Sequence, residues 1–562
     1  MTHTTHTFDR AADVHAALAD PALVPDPPAA ADGHRTGGSV PWLRAASARF
    51  STGETHRRRR ALVEAELARL DPAALHRAAA GTKAGGGLRE RVVRALAEAM
   101  GLPEPEAVAR DVTLVAAVWF GGEDPAADAA VARLVSRTAP DGADAPALEA
   151  TANRIGLLVQ ACAATATLVE SAAAQEAAAQ EAAAQECAAV ESTAQECAAQ
   201  EAAAQKAAAP EATAPEAAAV GAAATVPLAR VLRETPPVPA LRRVAARATH
   251  LGGRAIAEGD VVLLDVVTAQ RGHPAPLTFG ASPRVCPGRA HALALAEGLL
   301  GRPRTPFAAL HHRAAPLLLP NAWDYASAAA LAAEGFPAIG TTSLGVAAAA
   351  GLPDGAAATA EDTLALARRL GRGSFLFSVD AEGGFSDDPA EVAELARRLH
   401  EAGAAGINLE DGRPDGTLAP AAAHAAKIAA VKAAVPGLFV NARTDTHWLG
   451  RQEDETAARL AAYEQAGADG VFVPGLADPE RIAALAAGVV VPLNILHTPT
   501  GPTLAELAAL GVRRVSLGSL LYRTALAAAV TAASAVRDGG PAGLTALSYA
   551  RTQALGATGG TP

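Results

Sequence analysis

The sequence predicts a multi-domain chain, with a mainly α-helical N-terminal region followed by a C-terminal α/β region organised as a (β/α)8 barrel. Three observations predict this. The 562 residues exceed what one hydrophobic core serves, so about two to four domains are expected. An Ala/Gln/Glu-rich run of period five, from Ser171 to about Ala224, divides the chain. After Pro306, short apolar runs alternate with amphipathic helical stretches about eight times, the pattern of parallel βα units.

The expected order is a flexible N-terminus (1–40), a helical region in two parts (41–170 and 225–300), the spacer (171–224), the barrel (301–545) and a flexible tail (546–562). Residues 41–170 read as helices broken by Gly and Pro. The spacer consists of strong helix formers until Pro210 and Pro215 interrupt it. Its period of five does not match 3.6, so its glutamates wind around the helix and no apolar stripe persists. A solvated, partly helical spacer is expected. Residues 225–300 read as short strands in "RAIAEGDVVLLDVV", a cysteine loop "FGASPRVCPGR" and an apolar helix "AHALALAEGLL". The barrel strands are expected at 316–320, 338–342, 375–380, 406–410, 438–443, 470–475, 491–496 and 514–519.

Composition narrows the function. A net charge of −11 leaves no electrostatic footprint for nucleic acid. The basic cluster "HRRRR" at 56–60 reads as a solvated helix face, with anion binding as the alternative. No basic segment followed by an apolar core opens the chain, and no run of about 20 residues has the apolar character of a membrane span. The cysteines, Cys162, Cys187, Cys197 and Cys286, have neither metal-ligand spacing nor disulfide density. A reduced, cytoplasmic protein is expected.

Barrel active sites form from the loops at the carboxyl ends of the strands, and the polar residues of 301–545 concentrate there. Strand two runs into Thr342 and Ser343, and its loop continues to Asp354. Strand three ends at Asp380 with Glu382 following, strand four at Glu410 and Asp411, and strand five at Asn441, Arg443 and Asp445. Strands seven and eight end near Asn494 and Ser516. Several acids around one arginine suit a hard cation such as Mg²⁺ beside a substrate carboxylate held bidentately. A lone acid at such a place more often caps the next helix. The set at consecutive strand ends favours a site.

These residues also carry a resemblance. The motifs "PNAWD", "TTSLGVA", "LPDG", "SVDAEGGF", "GINLEDG", "VNARTD", "AYEQAGADGVFVPGL", "PLNIL" and "RRVSLGSLLY" make residues 307–540 closely similar to the phosphoenolpyruvate mutase/isocitrate lyase superfamily. The resemblance implies a Mg²⁺-dependent enzyme that makes or breaks C–C or C–P bonds of a small 2-oxo or 2-hydroxy carboxylate through an enolate. It implies Asp380 as the main metal-anchoring carboxylate, with Glu382 and Glu410 helping through waters, and Glu410 also in the catalytic set. Substrate binding would fall to Thr342, Ser343, Leu344, Arg443 and Asn494, and Asp354 would approach the reacting group. Lyases of this superfamily carry a "KKCGH"-type loop after strand four. Here "LEDG" is followed by "RPDGTLAP", and no cysteine lies beyond Cys286, which argues against the cysteine-dependent lyases. The loop also lacks the lysine and asparagine of a true mutase. Barrels of this superfamily are commonly tetramers, so homo-oligomerisation through the barrel is an expectation by resemblance.

The N-terminal region resembles cytochrome P-450 monooxygenases, in shortened form. "FGASPRVCPGRAHALALAEG" is similar to their haem-thiolate loop, with Cys286 as the iron ligand and Arg284 beside it. "FSTGETHRRRRALV" resembles the helix that meets the haem propionates, here through His56 and Arg60. "LLVQACAATATLV" resembles the oxygen-activating helix, with Thr165 at its threonine position. The resemblance implies haem b, a redox partner and, as the alternative function, monooxygenase turnover with the barrel as passenger. The family's Glu-x-x-Arg falls on "RVLR", which keeps Arg233 but puts Arg230 where the glutamate stands, bringing like charges together.

Overall fold

The computed structural model describes residues 3–25, 38–82, 85–205, 225–271, 273, 276–282, 284–302, 304–313, 315–541 and 546–557. The N-terminal region begins with a sheet strand in the segment expected to be flexible. Strand β1 (Thr5–Phe8) runs parallel to β6 (Val261–Asp265). Strand β3 (Ala240–Ala245) pairs antiparallel with β6 and with β2 (Leu23–Pro25), giving the order β1-β6-β3-β2. The short hairpin β4 (Thr249–Leu251) and β5 (Arg254–Ile256) stands apart. Phe8, Val14, Leu18 and Leu23 are buried with Val262 and Leu264, so apolar burial fixes this segment. The call at 26–37 lies outside the described residues.

Helices build the rest of this region around Ala145–Gln205, a single 61-residue helix. Its first turns bury Ile155, Leu158, Cys162 and Leu168 in the main apolar core. This segment alone is long and apolar enough among the described residues to cross a membrane, and just over half of its most apolar window is buried in the protein. The helix continues into the expected spacer, and the spacer's start is not fully solvated. Ala172 is buried, and Glu176 accepts from Arg302 Nη2 at 2.5 Å and from the Val226 N–H at 3.3 Å. Residues 206–224 lie outside the described set. The helix Arg289–Leu299, following the cysteine loop, crosses Pro72–Ala80 so closely that a side chain at Gly298 would collide with the His76 carbonyl.

The C-terminal region is a closed parallel barrel. Its strands are β7 (Leu317–Leu319), β8 (Asn321–Ala322), β9 (Ala338–Thr341), β10 (Leu376–Asp380), β11 (Gly406–Glu410), β12 (Phe439–Arg443), β13 (Gly470–Val473), β14 (Leu493–Leu496) and β15 (Arg514–Ser516). Pro320 splits the first strand into β7, which pairs with β15, and β8, which pairs with β9, so the ring closes. Proline has no N–H to give to the ladder, which accounts for the break. Every expected strand is present. Within the barrel, Asn408 Oδ1 accepts from Asn441 Nδ2 at 2.9 Å and from the buried Arg514 Nη2 at 3.0 Å. Phe307, His311 and Phe439 pack together, with the His311 and Phe439 rings stacked at 4.2 Å.

After β15 the helix Leu520–Arg537 buries none of its residues, and Val530 and Val536 are exposed. The expected flexible tail instead contains the helix Tyr549–Ala557, tied to the barrel by Arg551 Nη2 and Glu334 Oε1 at 2.6 Å. The two regions meet at the barrel helix Thr456–Gln465, which packs on Leu228–Glu234. Arg289 Nη1 donates to the Ala487 carbonyl at 2.7 Å, and Val490 packs against the N-terminal core.

Candidate active site

Strand register brings the predicted acids together. Asp380 ends β10 and pairs with Asn408 of β11, while Glu410 ends β11 opposite Arg443 of β12. All these residues project from carboxyl ends of consecutive strands, where parallel barrels place their chemistry.

Asp380 is held by its backbone N–H, which donates to Thr341 Oγ1 at 2.8 Å. Its Oδ2 accepts from the Ser343 N–H at 3.3 Å, at the N-terminus of the helix Ser343–Ala350. The first N–H groups of a helix lack intrahelical partners, and the macrodipole favours negative charge there. Leu344 lies in the same turn, while Thr342, buried, precedes it as the N-cap. The other oxygen of Asp380, Oδ1, is buried with no hydrogen-bond partner. A buried carboxylate oxygen without a donor is costly unless a cation or proton meets it.

Asp354 approaches from the loop after that helix. Burial raises its pKa, and Asp380 adds to the rise, against the Ser343 hydroxyl and Arg443. Glu382 is 4 % exposed and sits at a positive φ of 47°, which is rare for a residue with a side chain. Its Oε1 accepts from Thr359 Oγ1 at 2.8 Å and its Oε2 from the Ala357 N–H at 3.2 Å. Both oxygens of Glu382 thus hold the loop that carries Asp354. Burial raises its pKa as well.

Glu410 Oε2 pairs with Arg443 Nη1 at 2.7 Å, and Arg443 Nε donates to Asp445 Oδ1 at 2.6 Å. Burial raises Glu410 well above the usual carboxylate range despite Arg443, with Asp445, Asp380 and Glu382 repelling its charge. Desolvation opposes the charge on Arg443, but Glu410, Asp445 and Asp380 outweigh it and hold the guanidinium protonated. Arg443 is therefore fixed by two acids before any substrate arrives. No group of three acids, histidines or cysteines close enough to hold a metal occurs among the described residues. Glu382 and Glu410, expected to help a metal through waters, are turned to Thr359, Ala357 and Arg443. Mg²⁺ commonly takes one or two carboxylates and retains waters, so Asp380 alone suits it as anchor.

Asp411, one of the strand-end acids, is engaged by Tyr463 and Arg459, which with Arg514 were not among the predicted site residues. Asp411, side chain fully buried, accepts from Tyr463 Oη at 2.6 Å, Thr444 Oγ1 at 2.8 Å, Arg459 Nη1 at 3.1 Å and the Asp445 N–H at 2.8 Å. It locks the Arg443–Asp445 turn to the helix Thr456–Gln465. The signal was present as Arg459 and Tyr463, four apart on an alanine-rich helix. A Cβ at Gly412 would collide with the Asp445 carboxylate, so only glycine lets the two loops approach. The buried Arg514 beneath the site was also missed, since an arginine within a strand carries no sequence sign of facing inward.

Asn494 is fully buried, and its amide donates to Ser516 Oγ at 3.0 Å. The loop after Glu410 closes on itself: Arg413 N–H donates to Thr417 O, and Asp415 accepts from the Thr417 N–H and hydroxyl.

In the N-terminal region, the cysteine loop meets the helix Gly53–Leu67. Arg60 Nη1 donates to the Val285 carbonyl at 2.7 Å and Arg284 Nη2 to the Ser51 carbonyl at 2.9 Å. Cys286 is half-buried. Burial pushes its thiol up, while the Gly288 N–H, Arg60 and Arg289 pull it down. Arg49, Arg243, Arg284 and His56 lie near enough to depress one another's charge, after desolvation as the main cause. Arg49 falls to about 10 and Arg243 to about 9. His56 Nδ1 contacts the Ala48 carbonyl at 2.9 Å, and its Nε2 and Arg243 Nε are buried without partners. Thr165 is buried, its hydroxyl unpartnered. Arg230 pairs with Glu234 at 2.9 Å, which relieves the expected repulsion with Arg233. Arg233 Nη1 donates to the His273 carbonyl at 2.6 Å, and the acid nearest in effect is Glu464 of the barrel.

Residues 307–537 match the family model described as phosphoenolpyruvate phosphomutase. An oxaloacetate decarboxylase of Pseudomonas fluorescens is 34% identical over 199 residues, 33% of this chain and 68% of the relative. Through its barrel, the chain belongs to the phosphoenolpyruvate mutase/isocitrate lyase superfamily. An uncharacterized Mycobacterium tuberculosis protein is 49% identical over 232 residues, 41% of this chain and 88% of the relative. A solved candidate phosphonomutase from Burkholderia cenocepacia J2315 is 39% identical, covering 40% of this chain and 96% of that one, with a TM-score of 0.38. The superfamily barrel is thus an enzyme fold of mutase and lyase type.

Proposed function

We propose that the barrel is a Mg²⁺-dependent enzyme that cleaves a C–C bond of a small 2-oxo dicarboxylate through an enolate, with oxaloacetate as the first substrate to test. The observation that carries this is the buried, donorless Oδ1 of Asp380 beside Arg443 and the Ser343 helix N-terminus. Relatives named oxaloacetate decarboxylase and 2-methylisocitrate lyase, the latter from Bacillus subtilis and 34% identical over 64% of its length, support the class. Asp380 would hold the metal, with Glu410 able to join through water. Bound there, Mg²⁺ would supply Lewis-acid stabilisation of developing negative charge on the substrate.

The chain's own groups account for the rest. Arg443, already oriented by Glu410 and Asp445, and the N–H groups of Ser343 and Leu344 would bind the substrate carboxylate. Asp354, on the exposed loop beside Asp380 and Arg443, would deliver a proton to the carbon left carrying the electron pair after cleavage. The self-closed loop at 411–419 supplies no cysteine, so proton transfer falls to Asp354. Following oxaloacetate loss with purified full-length protein and Mg²⁺ tests the reading. Turnover that Asp380→Ala abolishes supports it; no turnover with oxaloacetate or a related 2-oxo dicarboxylate sinks it.

A second reading concerns the N-terminal region. Arg49, Arg243, Arg284 and His56 surround the cysteine loop with no acid among the influences on the first three, and His56 Nε2 and Arg243 Nε are orphaned. Such a set is complementary to a dianionic group. We infer that these residues would hold the propionates of haem b, with Cys286 as thiolate ligand under the Gly288 N–H. Bound haem would supply one-electron and oxygen chemistry, given a redox partner. A reduced, CO-treated spectrum decides: a thiolate-haem Soret band lost in Cys286→Ser supports it, and its absence after haem supplementation ends it.

A further inference from the structure

Lys427 lies on the barrel helix Ala421–Ala434 and is 5 % exposed, a degree of burial rare for lysine. Its Nζ donates to the Gly383 carbonyl at 3.0 Å. We propose that Lys427 is a positioning residue for the barrel mouth. Its ammonium holds the turn Glu382–Phe385 and, through Glu382, the loop that carries Asp354.

The backbone of the turn calls for an outside hold. Glu382 and Phe385 stand at φ of 47° and 59°, the left-handed region that disfavours residues with side chains. Gly384 lies between them at 86°, and a Cβ there would come within 2.7 Å of Val392 Cγ1. Such conformations persist where surrounding contacts over-determine them. The Ala381 N–H donates to the Asn408 carbonyl at 3.1 Å, and the Glu382 carbonyl accepts from the Glu410 N–H at 2.9 Å. Those bonds fix the start of the turn to β11. Lys427 fixes its next carbonyl from the opposite element, a helix.

An ordinary ion pair does not account for this lysine. Its acid partner Asp387 has a side chain 79 % exposed, stands at 3.4 Å and also faces Arg413 Nη2 at 3.6 Å. A pair so exposed is screened by water and contributes little. Withdrawing an ammonium from water is costly, and the bond to the Gly383 carbonyl is the contact that offsets it. The other end of this chain of contacts is chemical. Glu382 accepts from the Ala357 N–H and the Thr359 hydroxyl, and Ala357 itself stands at a φ of 54°. Asp354 is three residues before it on the same exposed loop. The consequence for turnover rests on the barrel reading above, whereas the positioning does not.

Hydrogen–deuterium exchange of the full-length protein tests the positioning without substrate. Lys427→Met should speed exchange about tenfold or more in segments 351–359 and 382–385, the scale of losing a hydrogen bond from a charged donor. Peptides from β13 and β14 should exchange as before. Lys427→Gln, with a shorter neutral donor, is the second variant should the first disturb folding, and is read in the same way. Asp387→Asn, which removes only the exposed pair, should change neither segment. With oxaloacetate and Mg²⁺, Lys427→Met should lower kcat about tenfold with KM within about twofold, since Arg443 keeps its partners. Unchanged exchange in 351–359, equal speeding throughout the barrel, or the same effect from Asp387→Asn overturns the proposal. So does a raised KM at unchanged kcat. If the parent protein turns over no oxo-acid, the barrel reading fails and the exchange results still decide the role of Lys427.

Discussion

The barrel and the N-terminal region treat buried charge in opposite ways. At the barrel mouth Arg443 stands between Glu410 and Asp445, and Asp411 between Tyr463, Thr444 and Arg459. Around the cysteine loop, Arg49, Arg243 and Arg284 face one another and His56. A partnered network is rigid in itself, and the carboxylate oxygen it leaves without a donor is Oδ1 of Asp380. A like-charged network is complementary to an anion and gains order from it. The first arrangement suits the proposed reaction site, and the second suits the anionic cofactor proposed for it.

The strongest way to break this comparison is at Asp380. Asp380→Ala should lower barrel turnover by at least about a hundredfold, the scale of losing one preorganised electrostatic contact. Removing divalent metal with a chelator should do the same reversibly, as read by oxaloacetate consumption. If turnover survives both, the free oxygen is not the anchor.

Tyr463→Phe sharpens it next. The change deletes one hydrogen bond to Asp411 without touching substrate. It should lower kcat about tenfold with KM less affected, since supporting contacts are worth about 10- to 100-fold. A purely structural role would show only as a lower unfolding midpoint.

Buried histidines provide a smaller effect with a defined sign. Burial lowers His424 to about 4 and His311 to about 3. The unfolded chain, with ordinary histidine values, binds protons that the folded barrel refuses. Stability contributed by keeping these rings neutral is therefore complete above about pH 6.5 and is lost as pH falls toward 4. Urea unfolding of the protein at pH 7 and pH 5 should show the lower midpoint at pH 5, and His424→Phe should flatten that dependence. The smallest effect is expected at Arg397, whose pairs with Glu394 and Glu401 are exposed. Arg397→Ala should leave the unfolding midpoint unchanged, because exposed pairs are screened by water.

Much of the barrel was legible because parallel strands buried on both faces are short apolar runs, and their carboxyl-end residues are polar wherever a site exists. Asp354, Asp380, Glu410 and Arg443 converge as their strand positions implied. Asp411's partners were not legible, since Arg459 and Tyr463 reach it from a helix about 50 residues along the chain. The strand Thr5–Phe8 was missed because four residues with one large apolar side chain carry little periodicity, and only pairing with β6 defines it. The helix Tyr549–Ala557 was missed for the same reason, being fixed by Arg551 and Glu334 rather than by an apolar stripe.

The sequence by itself determined the barrel, the order of its strands and which acids stand at their ends, because local periodicity and chain order dictate both. Only the tertiary structure decided which acids are free and which are already engaged. That depends on long-range contacts: Glu382 on Thr359, Glu410 on Arg443, and Asp380 left with one open oxygen. Tertiary structure alone also brought the N-terminal region onto the helix Thr456–Gln465, enclosing a cavity whose walls come from residues nearly 200 positions apart. Burial of a charge is a property of packing, and no pattern of neighbours in the chain encodes it.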